Sequence, residues 1–227
     1  MTGCVADNRE LRPVSVDTER CRIDTMRYIE YDTFDIAREV IDTINHIDTL
    51  VSRDGVIGKP TKYLAIHCTA SRPSSQMLDI TTREWWRRNR GWNKPGYHIV
   101  FFRNGEVKWL VKNFRLDGIM EKHEIVNGVQ GLNSFTISAS YVGGCAEHLH
   151  KRPDGRLQLV AEDNITDKQA AAMRGFIMAV KSVNPNIKVG GHRDFRAWMK
   201  KPYKACPSFE VSEKFGDVIG TNLFTYE

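Results

Sequence analysis

Three residues far apart in the chain, His67, His192 and Cys206, most constrain what this sequence can fold into. His67 ends the alternating stretch Lys62-Tyr63-Leu64-Ala65-Ile66-His67-Cys68-Thr69. His192 follows Val189-Gly190-Gly191, again a short strand-like approach, and Arg193-Asp194 after it read as a turn. Cys206 sits in Lys204-Ala205-Cys206-Pro207-Ser208-Phe209. Two imidazoles and a thiolate leave tetrahedral zinc one open position, which is how hydrolytic zinc sites differ from structural ones. Singly, each is an ordinary core residue. Together they require a fold in which three distant segments end at one point.

Composition permits such a fold. The chain has 227 residues, 41% hydrophobic and 27% charged, enough for one globular domain with an appendage. No apolar run approaches ~18 residues, so no transmembrane helix is expected. The first residues, Met1-Thr2-Gly3-Cys4-Val5-Ala6-Asp7-Asn8-Arg9, lack the charged-then-apolar layout of a secretory signal. Synthesis and initial retention in the cytoplasm are expected. The five cysteines (Cys4, Cys21, Cys68, Cys145, Cys206) are odd in number and form no CxxC pair. They read as mostly free thiols, with Cys206 reserved for metal.

The formal charge of +5 conceals a division. Residues 1–60 carry eight Lys/Arg against twelve Asp/Glu, and the remainder twenty-five against sixteen. An acidic extension, 1–60, thus precedes a basic domain, 61–227. The basic domain suits an anionic partner, cell-wall polymer or nucleic acid, although so modest an excess also serves solubility alone.

In the extension, residues 22–31 read as a short strand. Residues 33–47 read as a helix with Ile36, Val40, Ile44 and Ile47 on one face. His46 on that helix is a surface or packing residue. From Lys62 onward strands and helices alternate: a strand at 63–67, then a helix at 81–89 with Thr81 as N-cap and Glu84 reaching back. A hairpin follows around Arg103-Asn104-Gly105, then a strand at 135–142 ended by Gly143-Gly144. A long helix opens at Thr166-Asp167-Lys168-Gln169 and runs to about Val183, and a strand at 187–191 delivers His192. The expected architecture is α/β: a single mixed central sheet flanked by helices, with a short N-terminal α/β arm.

Six motifs in order carry a resemblance: Ile66-His67-Cys68-Thr69-Ala70, Gly91-Trp92 with Gly96-Tyr97-His98, Arg103-Asn104-Gly105, Tyr141-Val142-Gly143-Gly144, Gly191-His192-Arg193-Asp194, and Lys204-Ala205-Cys206-Pro207-Ser208-Phe209. Over residues 63–211 the chain resembles the zinc-dependent N-acetylmuramoyl-L-alanine amidases of type 2. That family includes the amidase-type phage lysozymes and the peptidoglycan-recognition proteins. The resemblance implies zinc on His67, His192 and Cys206. It also implies hydrolysis of the amide joining N-acetylmuramic acid to L-alanine of the stem peptide. Tyr97 and Lys204 match functional residues of the catalytic phage members. Members that only recognise peptidoglycan often lack the cysteine, so Cys206 points to an enzyme. One departure stands out: many relatives carry a histidine before the Gly-x-Asn matched by Gly131-Leu132-Asn133, and residues 126–130 contain none.

The residue types suit that chemistry. An amide is a poor electrophile and water a poor nucleophile, and zinc assists both. The developing oxyanion needs fixed positive partners, and Lys204, two positions before Cys206, can present an ammonium on the same side. Tyr97 can hold the attacking water or donate to the oxyanion. His98, on the opposite side of the same strand, reads as structural. Residues 145–150 (Cys-Ala-Glu-His-Leu-His) read as an exposed loop rather than a second metal site. In Arg83-Glu84-Trp85-Trp86-Arg87-Arg88-Asn89-Arg90-Gly91-Trp92 one tryptophan should face the core while the arginines stay solvated. Nucleic-acid binding through the same segment is the lesser reading.

The expected function is therefore a peptidoglycan amidase, an endolysin or autolysin, made in the cytoplasm and reaching the wall after release. Two alternatives remain at this point: a non-catalytic peptidoglycan-binding module, or an intracellular regulator that binds a protein partner through residues 1–60.

Overall fold

The computed structural model describes residues 58–226. The expected strand, helix and His46 of the acidic extension lie outside the described residues, as do Cys4 and Cys21. The central sheet has five strands: β2 (Tyr63–Cys68), β3 (Ile99–Phe101), β4 (Val107–Trp109), β6 (Thr136–Tyr141) and β9 (Lys188–Gly191), in the order β4-β3-β6-β2-β9. Four strands run parallel, and only β4 is antiparallel, paired with β3 through the expected hairpin. Beside this sheet, β1 (Lys59–Pro60) pairs with β5 (Ile119–Met120), and β7 (His150–Lys151) with β8 (Leu157–Gln158).

Alternation along β2 assigns its two faces. Leu64, Ile66 and Cys68 point into the main core with Met173, Phe176 and Ile177 of α2 (Asp167–Val183) and Phe215 and Ile219 of α4 (Val211–Ile219). Tyr63, Ala65 and His67 take the other face, where Ala65 and Tyr63 pack with Val129 and Phe195. Phe195 belongs to α3 (His192–Trp198), so the segment after His192 is a helix rather than the expected turn. Its start is fixed by Asp194, whose carboxylate accepts the Gly191 N–H at 2.7 Å.

The helix α1 (Arg83–Arg90) begins one residue later than the sequence pattern suggests. Thr82, not Thr81, is its cap: the Thr82 hydroxyl accepts the Trp85 N–H at 3.2 Å. Glu84 does not reach back and instead pairs with Arg87 and Arg88. Trp86 is buried while the four arginines of this helix remain exposed, as the helical spacing requires. Helix α2 carries the expected capping box, Thr166 with Gln169.

Gln169 does more than cap. It is fully buried, and its amide donates to the carbonyls of Phe101 and Val142 at 2.9 and 3.0 Å while its oxygen accepts the Thr166 N–H. It thereby satisfies the ends of two strands and locks α2 to the edge of the sheet nearest the site. Gln169→Leu should leave the Val142 carbonyl and the Thr166 N–H unpaired, while the Phe101 carbonyl keeps the Val142 N–H, and should lower stability by about 3 kcal/mol, read from urea unfolding, whereas Thr166→Ala should cost about 1 kcal/mol.

Candidate functional site

Strand pairing explains why residues distant in sequence meet. On β2, Ile66 pairs with Gly191 of β9, so His67, the next residue, lies abreast of His192. Their ring centroids are 4.6 Å apart. Both sit at the carboxyl ends of parallel strands, where open α/β sheets form their crevices. The third residue arrives from an extended segment: Arg193 N–H donates to the Cys206 carbonyl at 2.7 Å, tying that segment to the start of α3. Behind it, Tyr141 of β6 shares a 2.6 Å hydrogen bond with Ser208, whose hydroxyl donates to the Glu162 carbonyl.

Two glycines give this assembly its closeness. A Cβ on Gly191 would fall 2.8 Å from Pro207 Cδ, so only glycine lets the His192 and Cys206 segments touch. Gly144 (φ +97°) lies so near Cys68 that a Cβ would meet its sulfur at 2.5 Å.

The ligand-type atoms of His67, His192 and Cys206 all lie within 4.8 Å of one another, and all three residues are buried. Cys206 Sγ is 3.7 Å from His67 Nδ1. Two ligands at zinc-sulfur and zinc-nitrogen distances on one tetrahedral centre stand about 3.6 Å apart, so this spacing fits. His67 Nε2 and His192 Nδ1 are buried without a hydrogen-bond partner, a cost that coordination of one of these nitrogens would relieve.

Protonation states favour the same conclusion. Burial pushes the His192 imidazole down to about 3, with the Lys204 ammonium adding to the effect. Burial, then the charges of His192 and Lys204, hold His67 well below its usual value. Both rings are therefore neutral and offer lone pairs. The Cys206 thiol is lowered, first by a hydrogen bond from the Cys68 thiol, then by the Cys68 N–H at 3.5 Å and by Lys204 and Arg193. Of the two thiols, Cys206 therefore gives up its proton more readily than Cys68.

Tyr97 stands beside the cluster, its ring centroid 5.2 Å from that of His67 and its hydroxyl donating to the Cys68 carbonyl at 3.3 Å. Trp86 supports it edge-on at 5.5 Å and is itself stacked on Trp92. Burial, then the neighbouring Cys206 and Cys68, raise the phenol above its ordinary value, so it is protonated and acts as a donor. Lys204 is exposed, and its charge is felt by all three cluster residues.

His98 points away from the cluster, as alternation with Tyr97 predicts. Its Nδ1 accepts the Ser138 N–H at 2.9 Å, and burial pushes it down to about 3. Cys145 and Ala146 are buried, correcting the loop reading for those two; His148, Leu149 and His150 are exposed. Among the described residues, His67, His192 and Cys206 are the one group arranged to hold a metal.

Two neighbours escaped the sequence reading. Cys68 looked like a plain core thiol, but its backbone N–H reaches Cys206 Sγ at 3.5 Å. Ser140 of β6 is in register with His67 and fully buried. Only strand pairing reveals Ser140, whereas the Cys68 role could have been suspected from adjacency to His67.

The family model for N-acetylmuramoyl-L-alanine amidase matches residues 57–209. The endolysin of Enterobacteria phage K11 is 24% identical over 163 residues, 70% of this chain and 89% of that one. The endolysin of Klebsiella phage KP32 is 25% identical over 153 residues, 66% of this chain and 83% of that one. Among solved structures, the Ph2119 endolysin from the Thermus scotoductus MAT2119 bacteriophage covers 70% of this chain and 87% of its own at 21% identity, with a TM-score of 0.46. Drosophila PGRP-LB covers 74% and 85% at 17% identity, with a TM-score of 0.48.

His98 and His192, each held near 3, and His67, held low as well, bind protons less readily folded than unfolded. Their contribution to stability is complete above the unfolded value of about 6.5 and is lost as pH falls toward about 3. The urea midpoint of chelated protein should therefore drop between about pH 7 and about pH 4, and His98→Gln should flatten part of that drop.

Proposed function

The chain belongs to the N-acetylmuramoyl-L-alanine amidase family, and on that premise we propose that residues 61–227 hydrolyse peptidoglycan at a zinc site made by His67, His192 and Cys206. The bond cleaved is the amide between N-acetylmuramic acid and L-alanine of the stem peptide. One observation carries the zinc reading: two neutral buried imidazoles and a buried cysteine with a lowered thiol converge, and the buried His192 Nδ1 has no hydrogen-bond partner. The set is three, not four, and so fits a hydrolytic centre rather than a structural one. When bound there, zinc supplies Lewis acidity toward both the amide carbonyl and water.

The chain's own groups do the rest. His67 and His192 keep their lone pairs free because burial and Lys204 exclude protons from both rings. Cys68, then Lys204 and Arg193, lower the Cys206 thiol and so favour its thiolate. Tyr97 stays protonated and so acts as a hydrogen-bond donor rather than a base, a role that serves the oxyanion or the attacking water. Lys204 places a positive charge at the rim, where the amide oxygen gains negative charge in the transition state. Buried Trp86 braces Tyr97 and Trp92, which are half-buried beside the site, so that they form a rigid wall for the substrate.

The relatives that match over most of their length are endolysins, and action on the wall after release from the cell agrees with them. Among the described residues no helix is long and apolar enough to cross a membrane.

Peptide release from purified peptidoglycan, followed by mass spectrometry, tests this reading. Zinc-loaded protein should free peptides with L-alanine at the N-terminus. Cys206→Ser should lose both bound zinc and activity. Tyr97→Phe should keep its zinc while kcat falls by about 10²-fold or more. Wall binding without any release by the zinc-loaded protein would instead make the chain a binding module.

A further inference from the structure

Eight large hydrophobic side chains are exposed among the described residues, and four of them, Leu149, Leu157, Leu159 and Val160, belong to the β7–β8 hairpin. This clustering is unlike the single exposed apolar residues that any surface carries. The hairpin leaves the sheet just after Gly143-Gly144 and returns at the Cys145–Ala161 bridge, so it springs from the rim of the metal site. Every residue from 148 to 161 is exposed. Two strands alone make a marginal unit, so a length of hairpin that covers no core has some other use.

Its faces are sorted. Lys151 pairs with Leu157, so the two side chains share one face. Leu149 lies two residues before Lys151, and Leu159 two after Leu157, which adds both to that face. Leu157 is 62% exposed, the most of the three leucines. His150, paired with Gln158, lies on the other face, as do Arg152 and Arg156. At the tip, Lys151, Arg152 and Arg156 face a single acid, Asp154, which is 3.7 Å from Arg152. Aliphatic side chains bordered by long cations thus occupy one exposed finger.

We infer that this hairpin is an interfacial anchor for an anionic lipid surface. The leucines enter the boundary between headgroups and acyl chains with Lys151 beside them, and Arg152 and Arg156 at the tip reach the phosphates from the other face. Lysine and arginine suit this position because their aliphatic stems lie along apolar surface while the charge stays wet. A nucleic-acid partner fits less well, since residues 145–161 include no Phe, Tyr or Trp on which a base could stack. The inference does not depend on the hydrolytic reading.

Co-sedimentation of the full chain with vesicles decides it. The protein should pellet with equal parts phosphatidylcholine and phosphatidylglycerol, and much less with phosphatidylcholine alone. Leu157→Asp should weaken the anionic-vesicle association by roughly tenfold, and Lys151→Glu with Arg156→Glu should remove the preference for anionic lipid. All three positions are exposed, so circular dichroism should be unchanged, and peptide release from isolated peptidoglycan should continue. Absence of vesicle binding, or binding that Leu157→Asp leaves intact, overturns the inference. Self-association by light scattering that Leu157→Asp abolishes, without vesicle binding, also overturns it and makes the leucine face a contact between copies.

Discussion

The register of β2 between two parallel neighbours is the constraint on which the rest of this structure depends. Pairing Ile66 with Gly191 brings His67 abreast of His192, while pairing with β6 sets Ser140 beside His67. Because side chains alternate with period two, a slip of one residue would turn His67 into the helix-covered core and Cys68 out toward the site. The apolar set Leu64, Ile66 and Cys68, packed against Met173, Phe176 and Phe215, resists such a slip. Burial on one face of the strand thus secures the chemistry on the other.

Around that register the site is closed by backbone rather than by long side chains. Gly191 and Gly144 allow approaches that a single methyl would prevent, and the Arg193 N–H fastens the Cys206 segment. The electrostatics then follow from burial. Desolvation keeps both histidines neutral, Cys68 and the nearby cations favour the Cys206 thiolate, and Tyr97 retains its proton. One buried donor set and one protonated phenol lie at the end of a sheet, within reach of the Lys204 charge. Such an arrangement suits an amide, whose oxygen gains charge as the bond is attacked.

The β7–β8 hairpin stands outside this economy. It satisfies its own backbone by pairing but buries no apolar face, whereas α1 and α2 each spend an apolar stripe on the core. The core and the metal-type cluster do not need a finger of exposed leucines. Its chemistry is that of an interface between an apolar phase and negative charge.

Much of this was legible in the sequence. The alternation of residues 63–67 named the strand, Asn104-Gly105 the hairpin, and Thr166 with Gln169 the start of the long helix, because each is a local pattern with a local cause. The three metal-type residues were legible too, since each sits at the end of a strand-like or extended run. Other features were not. The cap at Thr82 rather than Thr81 depended on Trp86 reaching the core and donating to the Ile80 carbonyl. Helix α3 in place of a turn depended on Phe195 finding Ala65 and Val129. The partnership of Cys68 with Cys206 and the position of Ser140 came from strand pairing between distant segments. By itself, then, the sequence determined which residues could do chemistry and which segments would be strand or helix, because periodicity and capping act over a few residues. Only the tertiary structure decided which side chains face one another and which protons they keep, because register and burial are properties of contacts far apart in the chain.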